Sequence, residues 1–508
     1  MSHQRSNPLL ALPFEPSLEG LGPDYWDVVE AARFPLTQLR FRNDDLLVQL
    51  GLDPAAISDG NLEAAYGRFE ARTPLLALRY HGYQFGSYNP FLGDGRGFLY
   101  GQLRDCRGDL QDLGTKGSGT TPWSRGGDGR LTLKGGVREL IASEALHRLG
   151  VSTSRTLSLV ETGEDLWRGD EPSPTRSSVM VRLARTHLRF GTCERLLHRR
   201  EPQALERLLR HVVRVYYPHI SEDHPVGPGG NSEPALLAFY GELVERVAQL
   251  AAQWMAAGFT HGVLNTDNMS LAGESFDYGP FAFLEGWDPG FTAAYFDHSG
   301  LYAYGQQPLI CHHNLRLLQE PLAMLLPRAE LESRLERFAP AYDTHYHARL
   351  MRRLGFDAVA LAAIEPERPD PVPLTLQLLA SWPVAYGDFF SALADRIERG
   401  GVPQDPEQLS PFVAGCADPP RQAWQAWRDA WWASSQALTS ERQATIAPTL
   451  RRWNLPEPPV RSCIERIWAD IDEHDNWQPL HDWLDRCGSS HSAGSGCSAL
   501  QLPRLDSV

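Results

Sequence analysis

The chain has 508 residues, of which 42% are hydrophobic and 10% aromatic, so it can bury a large core in one elaborated domain or in two or three. Its formal net charge of −15 argues against non-specific nucleic-acid binding, and no segment approaches the ~20 apolar residues that span a bilayer. The seven cysteines include no Cys-x-x-Cys pair, and the apolar run at residues 9–12 is too short for a signal peptide. These features favour a cytoplasmic enzyme without a disulfide scaffold.

The first part of the chain predicts few regular elements. Residues 1–70 are expected to form loops and short helices, with residues 62–72 as one such helix. Strand patterns then extend from residue 71 to about residue 180. Within this region, a glycine-rich segment lies at residues 92–97. Glycines let a backbone approach a phosphate closely. A lone Gly-x-Gly-x-Gly is more often a turn, but its place before a hairpin that carries a lysine favours a nucleotide loop.

A β-hairpin is predicted next. Apolar runs at residues 97–103 and 110–113 flank a turn, and the second run leads to Lys116. An apolar helical face and Gly150 predict a helix over residues 136–150 that contains Glu139. Protein kinases pair a strand lysine with a helix glutamate to direct the lysine toward nucleotide phosphates. The alternative is a surface lysine and an ordinary helix glutamate.

Two arginines follow the helix. Arg182 and Arg189 are seven residues apart and would share one face if the stretch is helical. Guanidinium groups bind phosphate oxygens in bidentate geometry. The alternative is a pair of solvated surface arginines.

The most informative segment is residues 261–280. Asp267 and Asn268 lie in a predicted tight loop, and Asp277 follows in an Asp-Tyr-Gly sequence. Carboxylate and carboxamide oxygens are ligands that Mg²⁺ prefers, usually one or two of them with phosphate oxygens. A kinase places a catalytic Asp, an Asn and an Asp-Phe-Gly in a similar order. The alternative is an Asn/Asp-rich surface turn, which is commoner for such a run alone.

The remainder of the chain predicts helices. The apolar periodicity favours helices over residues 205–217, 234–258, 315–326 and 329–354. A proline- and acid-rich connector at residues 365–373 leads to a helical region over residues 374–485 and a flexible tail. Tryptophans at helical spacing in this region (Trp424, Trp427, Trp431 and Trp432) favour core packing over a ligand site.

Taken in order, these segments resemble the SelO family of kinase-like protein adenylyltransferases. The resemblance extends from about Arg79 to about Leu318 and depends on an ordered set of separate motifs. They lie at residues 79–86, 92–96, 116–125, 127–130, 138–139, 143–146, 187–191, 261–270, 277–280, 302–304 and 307–308.

The resemblance implies an α+β, protein-kinase-like bilobal fold with an additional helical C-terminal region. ATP would bind turned over relative to ordinary kinases, so that the α-phosphate faces a protein hydroxyl and AMP is transferred. Asp267 would accept the proton, while Asn268 and Asp277 would hold Mg²⁺ or Mn²⁺ against the nucleotide, and Glu139 would pair with Lys116. The residues implied to hold ATP are Gly93, Gly95, Arg96, Lys116, Asp128, Gly129, Arg182 and Arg189.

The resemblance divides the chain into an N-terminal extension (1–70), a nucleotide-binding core (71–345), a helical region (346–485) and a Gly/Ser-rich tail (486–508). The expected partners are proteins with accessible Ser, Thr or Tyr hydroxyls, for an enzyme that is a monomer and binds neither nucleic acid nor membrane. Phosphoryl transfer is the alternative reaction, because it needs the same ligands. A nucleotide-binding pseudokinase scaffold is the alternative without catalysis.

The tail departs from the family pattern. The family commonly ends in Cys-Ser-Ser, whereas nine residues follow Cys497-Ser498-Ala499 here. Cys487 and Cys497 are expected to be exposed in the tail, where they could pair or remain idle thiols. The metal and phosphate ligands are unaffected by this difference.

Overall fold

An antiparallel sheet forms the centre of the first part of the chain. The computed structural model describes residues 7–169, 171–225, 230–365 and 367–488. The strands in these ranges are β1 (Trp26–Val29), β2 (Gln38–Arg42), β3 (Leu75–Leu78), β4 (Gly82–Gln84), β5 (Ser87–Asn89), β6 (Leu99–Arg104), β7 (Leu110–Lys116), β8 (Leu131–Thr132), β9 (Arg155–Leu166), β10 (Thr175–Ala184), β11 (Phe259–Thr260) and β12 (Ala282–Phe283).

Eight of these strands pair in one sheet with the order β1-β3-β6-β7-β10-β9-β2, and β8 pairs with β10. Every strand pairing in that sheet is antiparallel. Two small hairpins lie apart from it, β4 with β5 and β11 with β12.

Helices pack against the sheet and predominate in the second part of the chain. They are α1 (Asp44–Gln49), α2 (Asp59–Leu62), α3 (Leu133–Arg148), α4 (Phe190–Arg199), α5 (Pro202–Tyr216), α6 (Pro218–Asp223), α7 (Glu233–Ala257), α8 (Gln307–Leu322), α9 (Arg328–Leu335), α10 (Phe338–Arg353), α11 (Ala358–Ala363), α12 (Pro371–Ser381), α13 (Tyr386–Gly400), α14 (Arg421–Gln436), α15 (Ser440–Gln443), α16 (Ile446–Trp453), α17 (Arg461–His474) and α18 (Gln478–Gly488).

Helix α3 shows how the local sequence sets an element that later carries a site residue. The Thr132 side chain accepts a hydrogen bond from the Gly135 N–H and caps the first turn. After the helix, Gly150 adopts a φ of 74°, a conformation that glycine takes without steric cost. The predicted apolar face, including Val137 and Ile141, is buried against β9 and β10. The helix is therefore fixed against the sheet, with Glu139 among its buried residues.

Three buried apolar clusters stabilise the structure. The largest joins one face of the sheet and α3 to α5, α7 and α8. A second fills the opposite face of the sheet beneath the N-terminal segment. The third lies among the C-terminal helices and contains Trp424, Trp427 and Trp431, which confirms core packing for those tryptophans, whereas Trp432 is half-buried. No described helix combines the length and apolar character that crossing a bilayer requires.

The N-terminal segment differs from its prediction. It contributes β1 and β2, which lie at opposite edges of the central sheet, in addition to loops and short helices. The helix expected over residues 62–72 extends only to Gly67, and its second half is wrong. Helix α2 ends at Leu62, one π-helical turn follows, and Phe69 and Ala71 have φ values of 53° and 55°. Such left-handed conformations cannot continue a right-handed helix.

Further along, the single helix expected over residues 329–354 is two helices, α9 and α10, separated at residues 336–337. The helix expected from residue 315 begins at Gln307. Cys487 is not exposed: it lies in α18, where only 4% of its surface is accessible and burial raises the pKa of its thiol to about 12. Cys497 and the rest of the predicted tail after Gly488 lie outside the described residues.

Candidate active site

The residues that the sequence predicts to bind nucleotide and metal meet in a cleft of about 640 Å³. Glu139 lies behind its wall, and the other predicted site residues line it. They are Gly93, Gly95, Arg96, Lys116, Asp128, Gly129, Arg182, Arg189, Asp267, Asn268 and Asp277.

Lys116 and Glu139 form a buried ion pair at the wall of this cleft. Lys116 is the last residue of β7, and its ammonium contacts the Glu139 carboxylate from α3. The same ammonium lies 3.3 Å from Asp277 Oδ1. Burial lowers the pKa of Lys116, and the two carboxylates oppose that shift. The alternative of a solvated lysine and an unrelated helix glutamate is therefore wrong.

Arg182 and Arg189 also reach the cleft, but from two different elements. Arg182 belongs to β10, and Arg189 is the residue that precedes the first turn of α4. The shared helical face expected for them is therefore wrong, because a strand and a loop separate the two positions. Both side chains are nonetheless buried and converge on Asp277, so they are not surface arginines.

Asp277 is surrounded by positive charge. Its Oδ1 accepts a 2.7 Å hydrogen bond from Arg182, and its Oδ2 accepts a 2.9 Å hydrogen bond from Arg189. Burial alone would raise the pKa of this carboxyl, but Arg182, Lys116 and Arg189 hold it well below its usual range. The residue has a φ of 64°, which is uncommon outside glycine. Asp277 is therefore an anion at neutral pH.

Asp267 lies in the loop after β11, within a short 3-10 turn (Thr266–Asn268). Burial raises the pKa of Asp267 to about 6, and Arg189 partly opposes this shift. The Arg189 side chain does not pair with the Asp267 carboxylate but donates a 2.8 Å hydrogen bond to its backbone carbonyl. Asp267 Oδ1 is buried without a hydrogen-bond partner among the described residues. The carboxylate can therefore accept a proton near neutral pH.

Asn268 is held in one orientation. Its Nδ2 donates a 2.8 Å hydrogen bond to the Val263 carbonyl, so its Oδ1 is the atom available to a cation. The Asn268 carboxamide oxygen and the Asp277 carboxylate are hard oxygen ligands. Two such ligands suit Mg²⁺, which commonly completes its shell with water and substrate phosphates. The donor set therefore fits a nucleotide-bound divalent cation.

The predicted glycines are required by close contacts. A Cβ on Gly93 would lie 2.3 Å from the Trp123 ring, and one on Gly95 would lie 2.9 Å from the Trp123 carbonyl. Gly129 has a φ of 69°, and a Cβ there would lie 2.2 Å from the Gly119 carbonyl. Gly93 and Gly95 thus allow close packing against Trp123, and Gly129 allows close packing against Gly119, at the cleft.

Two of the predicted ligands, Asp128 and Arg96, are more exposed to solvent than the others. Asp128 is exposed, and both its carboxylate oxygens pair with Arg168, at 2.8 and 3.1 Å. Arg96 is exposed at the cleft and makes no ion pair within the part of the chain that the structure describes. Both side chains are accessible to a ligand in the cleft.

Three polar residues of the site were missed from the sequence. Asp94, between the predicted glycines, lies 3.4 Å from Arg189 and accepts a 3.0 Å hydrogen bond from the Leu78 N–H. Gln84 lies 3.4 Å from Asp267 Oδ2. Glu194 is buried and accepts a 2.8 Å hydrogen bond from Thr266, and burial raises its pKa to about 8. Asp94 and Gln84 were within motifs already noticed, but nothing local in the sequence indicates their contacts.

Comparisons with known proteins identify the family of this chain. The model of a family described as "Protein adenylyltransferase SelO" matches residues 8–487. A "Protein nucleotidyltransferase YdiU" from Gloeobacter violaceus is 52% identical over 482 residues, which cover 95% of this chain and 96% of that protein. A protein of the same name from Synechocystis is 50% identical over 488 residues, with 96% and 100% coverage. One from Pseudomonas putida is 39% identical over 375 residues, with 73% and 74% coverage.

Proposed function

Because this chain belongs to the SelO family and is a nucleotidyltransferase, we propose that it transfers AMP from ATP to Ser, Thr or Tyr hydroxyls of other proteins. The antiparallel sheet followed by helices is consistent with a kinase-like bilobal arrangement, which we include in the proposal. The proposed catalytic and ligand residues are the cleft residues described above.

The observation that carries this proposal is the convergence of three buried cations on one side of the cleft. Lys116, Arg182 and Arg189 all contact Asp277. The Nε atoms of both arginines are buried without hydrogen-bond partners among the described residues. Buried unpaired donors are rare unless a ligand or water satisfies them. A lysine and two arginines thus offer several donors to phosphate oxygens.

These cations would bind the β- and γ-phosphates, which leaves the α-phosphate next to Asp267. Arg189 links the two places, because it contacts Asp277 Oδ2 and the Asp267 carbonyl with the same nitrogen. In the proposed reaction, Asp267 accepts the proton of the acceptor hydroxyl. The hydroxyl oxygen forms a bond to the α-phosphorus, the bond from that phosphorus to the bridging oxygen breaks, and pyrophosphate leaves with the electron pair.

Asn268 and Asp277 would hold the divalent cation in this proposal. When bound, the ion would neutralise charge that develops on the phosphate oxygens. The protein's own contribution is to orient Asp277 with buried cations and to fix the Asn268 carboxamide through Val263. The side chains that surround the nucleotide are thus held in place by contacts within the protein.

The test compares ATP labelled at the α-phosphate with ATP labelled at the γ-phosphate. Each is incubated with Mg²⁺, the purified protein and a protein lysate, and the label retained on protein is measured. We expect α-label on protein, release of pyrophosphate and a mass gain of one AMP on the acceptor. The matched control is Asp267→Asn, which keeps the size of the side chain and should bind ATP without transferring label.

Two results would overturn the proposal. Protein label from the γ-position alone would establish phosphoryl transfer. Label from neither position, with ATP bound, would favour a nucleotide-binding scaffold.

A further inference from the structure

A small hairpin lies against the loop that contains Asp267. Strands β4 and β5 form this hairpin, and the Tyr83 N–H donates a 2.7 Å hydrogen bond to Thr266 Oγ1. At the hairpin turn, the Phe85 N–H donates to Asn265 Oδ1 at 3.3 Å. The hairpin and the Asp267 loop are therefore attached to each other on both sides of Gln84, whose side chain lines the cleft.

A chain of three hydrogen bonds runs from the backbone after this hairpin to Asp267. The Phe91 N–H donates to Asn89 Oδ1 at 3.0 Å. Asn89 Nδ2 donates to Gln84 Oε1 at 3.0 Å. Gln84 Nε2 donates to Asp267 Oδ2 at 3.4 Å, a long bond of the kind that often tightens when a substrate binds.

The direction of this chain is fixed at its first member. A backbone N–H can only donate, so the Asn89 atom that faces Phe91 must be the carboxamide oxygen. The Asn89 amide nitrogen then faces Gln84, which requires the Gln84 oxygen on that side. The Gln84 amide nitrogen is consequently left to face Asp267. The orientation of the Gln84 carboxamide is thus determined by the Phe91 N–H, through two successive hydrogen bonds.

We propose that Gln84 is a positioning residue for Asp267. Asn89 determines which end of the Gln84 carboxamide faces Asp267. Gln84 contacts Oδ2 of the carboxylate, whereas Oδ1 is buried against Gly82, so the acceptor's proton would go to Oδ2, the oxygen on the side of Gln84 and the cleft. Gly82 supports this arrangement, because a Cβ there would lie 2.9 Å from Oδ1. The inference rests on the proposed role of Asp267 as proton acceptor, and it adds two residues for which the sequence motifs gave no role.

The decisive comparison is between two substitutions at Asn89. In Asn89→Ala the Gln84 carboxamide loses its orienting partner but can still turn its nitrogen toward Asp267. In Asn89→Asp the carboxylate still accepts from Phe91, but it now attracts the Gln84 nitrogen and turns the Gln84 oxygen toward Asp267. Two acceptors would then face each other, which disfavours the productive position of the Asp267 carboxylate.

We expect the transfer rate to fall about tenfold or more in Asn89→Asp and Gln84→Ala, and by a smaller factor in Asn89→Ala. The Kd for ATP, measured by calorimetry, and the Tm should stay close to those of the unchanged protein. Ser87→Ala is the matched control, because Ser87 is exposed in the same hairpin and should keep full activity. In an Asp267→Ala background, Gln84→Ala should cause no further loss.

Equal effects of Asn89→Ala and Asn89→Asp would overturn the proposed role of Asn89. A further loss from Gln84→Ala in the Asp267→Ala background, or a loss of ATP affinity as large as the loss of rate, would show that Gln84 does not act through Asp267. The rate of each variant is expressed relative to that of the unchanged protein, measured with the phosphate label that the unchanged protein transfers. A γ-label result would therefore reject AMP transfer while still testing the role of Gln84.

Discussion

Two carboxylates ten residues apart in one loop region, Asp277 and Asp267, have opposite electrostatic environments. Asp277 contacts Lys116, Arg182 and Arg189, which hold its pKa well below the usual range. Asp267 is buried beside an amide and a glycine, and burial raises its pKa to about 6. Chemically identical carboxylates therefore differ in proton affinity because their surroundings differ.

This difference assigns the two proposed roles without any appeal to sequence order. A carboxylate that stays ionised among cations suits metal and phosphate binding, whereas one that protonates near neutral pH suits proton transfer. Arg189 separates the two environments, since its side chain pairs with the Asp277 carboxylate but touches only the backbone of Asp267. The following substitutions would break or sharpen this contrast.

The largest effect is expected from Asp277→Ala. Loss of this proposed metal ligand should remove several kcal/mol of transition-state stabilisation, roughly a 10³-fold loss of rate or more. It should also lower the Tm, because removing one partner of a buried ion pair costs about 3–5 kcal/mol. Activity and thermal melting are measured together, with the exposed carboxylate Glu285→Ala as control. Unchanged turnover would refute the assignment.

Asp267→Asn should cost about 10²- to 10³-fold in rate, the usual range for a general base. Its Tm should not fall, because the neutral amide removes a buried carboxylate that has an unpartnered oxygen. The affinity for ATP should be retained, because Asp267 is proposed to act on the acceptor hydroxyl and not to bind the nucleotide. A parallel loss of ATP affinity would contradict a role in proton transfer.

The Lys116–Glu139 pair is tested by a double-mutant cycle. Because each side chain orients the same cationic group, Lys116→Ala and Glu139→Ala should be strongly non-additive in kcat/KM, with a coupling energy of about 1–3 kcal/mol. The control is the more exposed ion pair of Lys134, also on α3, with Glu465, whose charged atoms are 2.7 Å apart. The coupling energy of that pair in stability should be only ~0–1 kcal/mol. Independent effects would mean that Glu139 does not orient Lys116.

The smallest effect is the pH dependence. In the proposed mechanism Asp267 must be ionised, so the rate should rise with pH, reach half its maximum near pH 6 and gain roughly twofold between pH 6 and pH 8. Asp277 should add no inflection there, because its pKa lies below the usual carboxyl range. A rate profile at saturating ATP and Mg²⁺ checks both statements. A half-maximum near pH 4 would show that burial does not shift Asp267 in the working enzyme.

Elements with a strong local pattern were predictable. The hairpin that ends in Lys116, helix α3 and the long helix α7 follow from apolar periodicity and from glycines at their ends. Strands β1 and β2 were not predictable, because short half-buried edge strands carry a weak pattern and are fixed by pairing with β3 and β9. The break between α9 and α10 was missed for a similar reason, since no glycine or proline marks residues 336–337.

The sequence by itself determined which residues could take part in the site, because lysine, arginine, aspartate and glycine at these spacings are recognisable along the chain. Only the tertiary structure decided how they act. Arg182 meets Asp277 across 95 positions, and Gln84 meets Asp267 across 183. Local patterns report on neighbours within a few residues, whereas ion pairing, burial and pKa depend on groups brought together from distant segments. The opposite pKa shifts of Asp267 and Asp277 are therefore a property of the folded cleft.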